Sequence, residues 1–80
     1  MRVLILGGSG MLGHQLCRVL SARMEAWAAF REDPTKYEGY GFISQERALG
    51  GVHAEGLASV RKALETVEPD VVVNCIGIGF

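Results

Sequence analysis

The sequence predicts an α/β fold, a parallel sheet with helices on both faces. Three observations lead to this prediction. A continuous apolar run opens the chain, a glycine-rich segment follows it, and an amphipathic helical pattern comes next. A second helical pattern begins near residue 60, and a second apolar run follows it. Alternation of this kind is typical of βαβ units, whose crossovers are right-handed almost without exception.

Composition limits the class of protein before any motif is considered. Eighty residues, 49% apolar and 21% charged, are typical of one small globular domain. A net charge of −1 argues against nucleic acid or an acidic membrane surface as a partner. No apolar run approaches the about 20 residues of a spanning helix, so we expect a soluble, cytoplasmic chain. Two cysteines far apart in sequence argue against a disulfide framework or a cysteine-only zinc site.

The first half of the chain predicts strand, helix and strand. Residues 3–6 are all aliphatic, as expected of a strand buried on both faces. The helix after the glycines has Leu12, Leu16 and Val19 at spacings of four and three, which predicts that this stripe faces the sheet. We expect a turn over residues 21–25 and a second strand over 26–30.

The second half is less regular at first and then clear. Residues 44–49 predict one or two helical turns, and residues 50–53 a short third strand. Leu57, Val60, Leu64 and Val67 recur at spacings of three, four and three, which predicts an amphipathic helix over 57–67 that Pro69 ends. Residues 71–76 are predicted to form a second fully buried strand.

Three glycines mark the segment between the first strand and the first helix. Gly7 permits a tight turn with positive φ, Gly10 lets a phosphate approach the backbone at the positive end of the helix, and Gly13 lets the helix pack closely on the strand. No Gly-Lys-Ser/Thr follows, which excludes a P-loop. The alternative is a glycine-rich turn in an ordinary α/β domain.

The segment from Leu6 to Gly13, Leu-Gly-Gly-Ser-Gly-Met-Leu-Gly, resembles the nucleotide loop of extended short-chain dehydrogenases/reductases. Within them it looks most like the dTDP-4-dehydrorhamnose reductase group. Residues 60–74 are similar to that group's third helix and fourth strand, and Asn74-Cys-Ile-Gly77 to the family's Asn-x-Ala-Gly motif. The resemblance implies the N-terminal part of a Rossmann fold, a doubly wound parallel sheet with strand order 3-2-1-4 and helices on both faces. It also implies these cofactor-binding residues: Gly7, Gly10, Met11, Leu12, Gly13, His53, Asn74, Cys75 and Gly77.

His53 departs from the family pattern. It falls where the family commonly places an aspartate near the adenine. A neutral imidazole can hydrogen-bond or stack there, and a histidine without a ligand role is the alternative. Ile76 likewise replaces the small alanine of the fourth-strand motif.

The residues after the second strand bear on the choice of cofactor. Arg31 follows the strand directly and can neutralise a ribose 2′-phosphate, which favours NADP. Glu32 and Asp33 can accept a hydrogen bond from a free 2′-hydroxyl, and Asp33 lies 20 residues after Gly13, so NAD stays possible. A solvated charged turn is the alternative.

The resemblance also implies a catalytic Tyr-x-x-x-Lys, which this sequence does not contain. Tyr37 is followed four residues later by Gly41, and Tyr40 by Ser44. We therefore assign no catalytic and no metal-binding residue, and expect these 80 residues to be inactive alone. They are interpreted as a partial NAD(P)-binding domain that lacks the fifth and later strands, the catalytic helix and the substrate lobe. An open edge at 71–76 would then favour self-association.

Four functions stay open. The favoured one is the NAD(P)-binding half of an oxidoreductase that reduces a nucleotide-linked keto-sugar, with a nucleotide-sugar as the full protein's substrate. An epimerase or dehydratase of the same superfamily is the first alternative. The others are a non-catalytic NAD(P) sensor and a small α/β module for another ligand.

Overall fold

A computed structural model describes residues 1–8, 11–33, 45–53 and 56–75. Within them, four parallel strands form one sheet in the order β3-β2-β1-β4, with two α-helices and a short 3-10 turn. The predicted fold class and strand order are confirmed. The elements are β1 (Arg2–Leu6), α1 (Met11–Ser21), β2 (Glu25–Ala29), the 3-10 turn (Gln45–Arg47), β3 (Ala48–Leu49), α2 (Leu57–Val67) and β4 (Val71–Asn74).

The central strand β1 divides the core between the two faces of the sheet. Its side chains alternate, so Val3 and Ile5 lie on one face and Leu4 on the other. On the first face, α1 covers a cluster that includes Ala28 and Phe30. On the second, α2 covers the cluster around Leu4. Helices on both faces are what right-handed crossovers in this strand order produce.

The inward face of α1 differs from the predicted stripe. Gly13 and Cys17 are buried, and Leu16 and Leu20 pack against the core. Val19, predicted to face the sheet, is 57% exposed. The reason is geometric, because residue 19 lies about 200° around the helix from residue 17. The residues of α1 that face the sheet include Gly13 and Cys17, and neither residue type stands out in a pattern of large apolar side chains.

Helix α2 has the predicted bounds but a narrower buried face. Ala63 and Val67 are buried, whereas Leu57 is 80% exposed and Leu64 is 37% exposed, contrary to the prediction. Leu57 lies about 80° around the helix from Val67, at the margin of the face on the sheet. The helix ends at a left-handed residue, Glu68 (φ 50°), whose amide donates to the Leu64 carbonyl at 2.8 Å.

The region before α2 contains the third strand two residues earlier than predicted. Residues 45–47 form the 3-10 turn, and β3 occupies only Ala48–Leu49, where helical turns were expected. The predicted strand at 50–53 is wrong because Gly51 has φ of +70°, which no β-strand residue adopts. Ser44, the first residue of the predicted helical turns, lies outside the described residues.

Strand β4 is half-exposed rather than fully buried. It pairs with β1, with Val3 opposite Val71 and Ile5 opposite Val73, and no other described strand pairs with it. Val71 and Val72 are each 42% exposed, which corrects the prediction of a buried strand. The strand ends at Asn74, and Ile76 lies outside the described residues. Self-association through this edge stays a prediction.

Candidate functional site

The carboxyl ends of all four strands meet at one edge of the sheet, and backbone hydrogen bonds join them. Immediately after β1, the amides of Gly7 and Gly8 both donate to the Ala29 carbonyl at the end of β2, at 3.0 and 3.1 Å. The chain therefore leaves β1 by crossing toward β2. This crossing determines where the glycine segment begins.

Two further backbone bonds extend the pairing of β2 and β3 past the strands. The Phe30 amide donates to the Leu49 carbonyl at 2.7 Å, and the Val52 amide donates to the Phe30 carbonyl at 2.9 Å. Arg31 and His53 each follow one of these bonded residues directly. The structure thus brings an exposed arginine and a half-buried histidine to the adjoining ends of two neighbouring strands.

The start of α1 lies against the end of β1. Gly7 has φ of +78°, the left-handed conformation predicted for it. At Gly13 an added Cβ would lie 2.2 Å from the Gly7 carbonyl oxygen, so no side chain fits there. The prediction that Gly13 allows close packing is confirmed, and the group it contacts is the backbone just after the strand.

The first turn of α1 provides the amide donors at this edge. The amides of Gly7 and Gly8 are already bonded to Ala29, whereas the amides of a first helical turn have no acceptor within the helix. Met11, Leu12 and Gly13 occupy that turn, and it contains no acidic residue. The positive end of a helix dipole with no adjacent carboxylate suits an anion, which fits the pyrophosphate of a dinucleotide.

Strand β4 completes the edge on the other side of β1. Leu6 lies opposite Asn74, and the Cys75 amide donates to the Leu6 carbonyl at 2.9 Å. Asn74 is exposed at this point, while the Cys75 side chain is buried with Cys17 beneath α1. Burial raises the pKa of the Cys75 thiol and raises the pKa of Cys17 to about 11, so both are neutral packing groups. The two cysteines, distant in sequence, share one core cluster.

Comparison with known proteins identifies the family. The model of the NAD-dependent epimerase/dehydratase family matches residues 3–80. The chain belongs to this family. No curated protein matches the chain, and no solved structure does so. Membership supports an NAD(P)-binding, oxidoreductase-type domain, without distinguishing NADP from NAD or indicating the dehydrorhamnose reductase group.

The structure gathers the described members of the predicted site at one edge. Gly7, Gly13, Arg31, His53 and Asn74 all lie at the carboxyl end of the sheet or the adjoining start of α1. Met11 and Leu12 begin α1, and Cys75 contributes its backbone. Gly10 and Gly77 lie outside the described residues, so their roles stay predictions. Among the described residues, no group of three or more side chains could hold a metal ion, and no helix is long and apolar enough to cross a membrane.

Sequence reasoning missed the support beneath the glycine segment. A Cβ on Gly8 would lie 3.0 Å from Ala28 Cβ and 3.2 Å from Phe30 Cε1. Phe30 is fully buried and forms a floor under that glycine. In the sequence, only the tandem Gly7-Gly8 indicates this packing, since Phe30 looks like any other apolar residue of a strand.

Proposed function

We propose that these residues are the NAD(P)-binding half of an oxidoreductase that reduces a nucleotide-linked keto-sugar. The observation that carries the proposal is the convergence of Gly7, Gly13 and the α1 amides with the carboxyl ends of four parallel strands. Ligands of open parallel sheets bind in such a crevice at the switch of strand order, here between β1 and β4. The bound cofactor would carry the hydride.

Each part of the edge has a role in this proposal. The amides of Met11, Leu12 and Gly13 bind the pyrophosphate, because the amides of Gly7 and Gly8 already donate to the Ala29 carbonyl. The adenosine end extends across β2 and β3 toward His53. Asn74 and the Cys75 backbone border the opposite side, toward the nicotinamide end. We assign no hydride-transfer residue within residues 1–80.

Arg31 supports NADP as the preferred cofactor. It directly follows Phe30, whose amide and carbonyl are both bonded to residues 49–52, so the backbone before Arg31 is anchored. Its side chain is exposed and can reach a 2′-phosphate in a forked geometry. Glu32 and Asp33 are also exposed in the same turn and support NAD as the second choice.

The proposal is tested by calorimetric titration of the chain with NADP⁺ and NAD⁺, in wild type and in the Arg31→Ala variant. We expect micromolar binding of NADP⁺ and a loss of about tenfold or more in Arg31→Ala, since a charge-assisted hydrogen bond is worth about 1.5–3 kcal/mol. NAD⁺ binding should change little. Arg23→Ala is the matched control, because Arg23 is exposed near the opposite end of α1 and loses the same charge.

Two results would contradict separate parts of the proposal. Tighter binding of NAD⁺ than NADP⁺ by the wild type would overturn the assignment of Arg31. Failure of a folded chain to bind either dinucleotide would overturn the whole nucleotide-binding function and favour a module for another ligand.

The family description supports a second candidate, an epimerase or dehydratase. A reductase oxidises one reduced cofactor for each keto-sugar it reduces, whereas an epimerase or dehydratase takes a hydride from its substrate onto the oxidised cofactor and returns that hydride within the same cycle. The full-length protein should therefore oxidise NADPH when given a nucleotide-linked keto-sugar. Conversion of a nucleotide-sugar without net NADPH loss would favour the second candidate, and binding without turnover a sensor.

A further inference from the structure

Gly56 lies at the start of α2, and its backbone conformation does not require a glycine. It is the N-cap of the helix, with φ −108° and ψ 87°, and makes no side-chain capping bond. L-residues adopt negative φ values of this kind without the cost of the left-handed region. Serine, threonine, aspartate or asparagine would serve as better caps. Another constraint must therefore keep a side chain away from this position.

That constraint is the imidazole ring of His53. A Cβ at Gly56 would lie 2.7 Å from His53 Cε1, 3.2 Å from Nε2 and 3.3 Å from Nδ1. All three nearest atoms belong to the ring, so the imidazole packs directly over the glycine. A side chain at position 56 would displace the ring, because a ring at the end of a side chain moves more easily than backbone.

The backbone around the ring is tied down as well. The Gly56 amide donates to the His53 carbonyl at 3.1 Å, and the His53 amide donates to Ser59 Oγ at 3.2 Å. Ser59 Oγ in turn donates to the Gly56 carbonyl at 2.6 Å. The backbones of His53 and Gly56 are thus both bonded to Ser59 in the first turn of α2.

We propose that Gly56 is a positioning residue that holds the His53 imidazole where the adenine of the cofactor binds. This inference rests on the proposed function. With the pyrophosphate at α1, the adenosine end crosses β2 and reaches the end of β3, where His53 lies. A ring held in one place has less freedom to lose on binding, so its hydrogen bond or stacking contact gains affinity.

The test compares Gly56→Ala, Gly56→Ser and His53→Ala, each titrated with ADP-ribose, NAD⁺ and NADP⁺. Both Gly56 variants add the Cβ, whereas Gly56→Ser also adds a capping hydroxyl. We expect each of the three to weaken ADP-ribose binding by about three- to tenfold, the worth of one hydrogen bond. The double variant Gly56→Ala/His53→Ala should bind ADP-ribose no more weakly than His53→Ala alone, because both changes remove the same contact.

A second readout follows the ring without any ligand. The chain has two histidines, so the ring resonances of His14 serve as an internal reference in a nuclear magnetic resonance spectrum. Both Gly56 variants should shift the His53 resonances and leave those of His14 in place. Leu57→Ala, the neighbouring exposed residue, should shift neither ring and should keep wild-type affinity.

The outcomes separate this inference from the function on which it rests. If the wild type binds ADP-ribose and both Gly56 variants bind equally well, the positioning role is overturned and the proposed function stands. If Gly56→Ser restores affinity that Gly56→Ala loses, the effect is helix capping, and the role is again overturned. If the folded wild type binds no adenine nucleotide, both are overturned.

Discussion

At the carboxyl end of the sheet, the bonds described above are all between backbone groups, whereas at the amino end side-chain bonds add to the backbone bonds from Glu25 to Met1 and from Asp70 to Arg2. The carboxyl end is bonded through the carbonyls of Leu6, Ala29, Phe30 and Leu49. At the amino end, Arg2 Nε donates to Glu25 Oε2 at 2.6 Å, and Arg2 Nη1 donates to the Val67 carbonyl at 2.6 Å. Backbone bonds place few demands on side-chain identity.

The amino end also uses specific side chains from β1, β2 and the residue before β4. Trp27 Nε1 donates to the same Glu25 oxygen at 2.7 Å, and the Arg2 amide donates to Asp70 Oδ2 at 2.8 Å. We call Arg2, Glu25, Trp27 and Asp70 the amino-end clasp. We expect the clasp to contribute to stability, and the side chains at the carboxyl end, apart from the glycines, to contribute to ligand binding. The following experiments test that division.

The largest effect is expected at Gly13. Alanine in a helix interior is normally more stable than glycine by about 1 kcal/mol. Here the added Cβ meets the Gly7 carbonyl oxygen at 2.2 Å, and we expect Gly13→Ala to lower the free energy of unfolding by about 3 kcal/mol. Urea unfolding measures it, with exposed Gln15→Ala as the control. A stabilised Gly13→Ala variant would contradict the close approach of α1.

Alkaline pH should weaken the core beneath the carboxyl end next. Burial, and then the nearby Cys75, raise the pKa of Cys17 to about 11 from 9.0. The unfolded thiol therefore ionises first, so the stabilisation is complete below pH 9 and is lost as pH rises toward 11, about 2–3 kcal/mol in all. Urea unfolding at pH 8 and 10.5 measures the loss. If the free energy of unfolding of Cys17→Ala fell as steeply with pH as that of the wild type, the loss would not come from Cys17.

The clasp is tested by Arg2→Met, which keeps an apolar stem and removes the guanidinium. The Arg2 and Glu25 side chains are 39% and 36% exposed, so solvent screens their attraction. We expect the free energy of unfolding to fall by about 1 kcal/mol, mainly from the lost bond to the Val67 carbonyl. Affinity for NADP⁺ should stay within about twofold of wild type. Arg18→Met, exposed on α1, is the control, and a large loss of affinity would break the division between the two ends.

The smallest effect is expected from acid. The hydrogen bond from Trp27, together with the hydrogen bond and charge of Arg2, holds the pKa of Glu25 below its ordinary 4.5. The contribution of Glu25 is therefore present above pH 4.5 and lost as pH falls through its lowered pKa. Trp27 is the only tryptophan, so its fluorescence reports the change. Glu25→Gln should remove the acid transition, and an unchanged transition would show that another group causes it.

Several features of this protein follow from local sequence pattern alone. The aliphatic run at residues 3–6, the helix over 57–67 and the positive φ of Gly7 all agree with the structure. Each depends on interactions within a few residues, such as helical periodicity or the absence of a Cβ. The parallel sheet also follows from this alternation, whereas its order 3-2-1-4 was predicted from the resemblance to a Rossmann fold.

Other features depend on contacts between distant residues, and local pattern does not reveal them. Val19 and Leu57 fit apolar stripes but are exposed, since the angle at which each helix meets the sheet decides its buried face. β3 is only two residues long and is defined by its bonds to β2.

The candidate site divides in the same way. The positions of Gly7, Gly13 and Arg31 at the strand ends and the start of α1 could be predicted, because the turn after a strand has a recognisable composition. The floor formed by Phe30 and the contact of His53 with Gly56 could not be predicted. They exist because the tertiary fold brings these atoms within about 4 Å of one another, and packing at that range depends on the whole arrangement of strands.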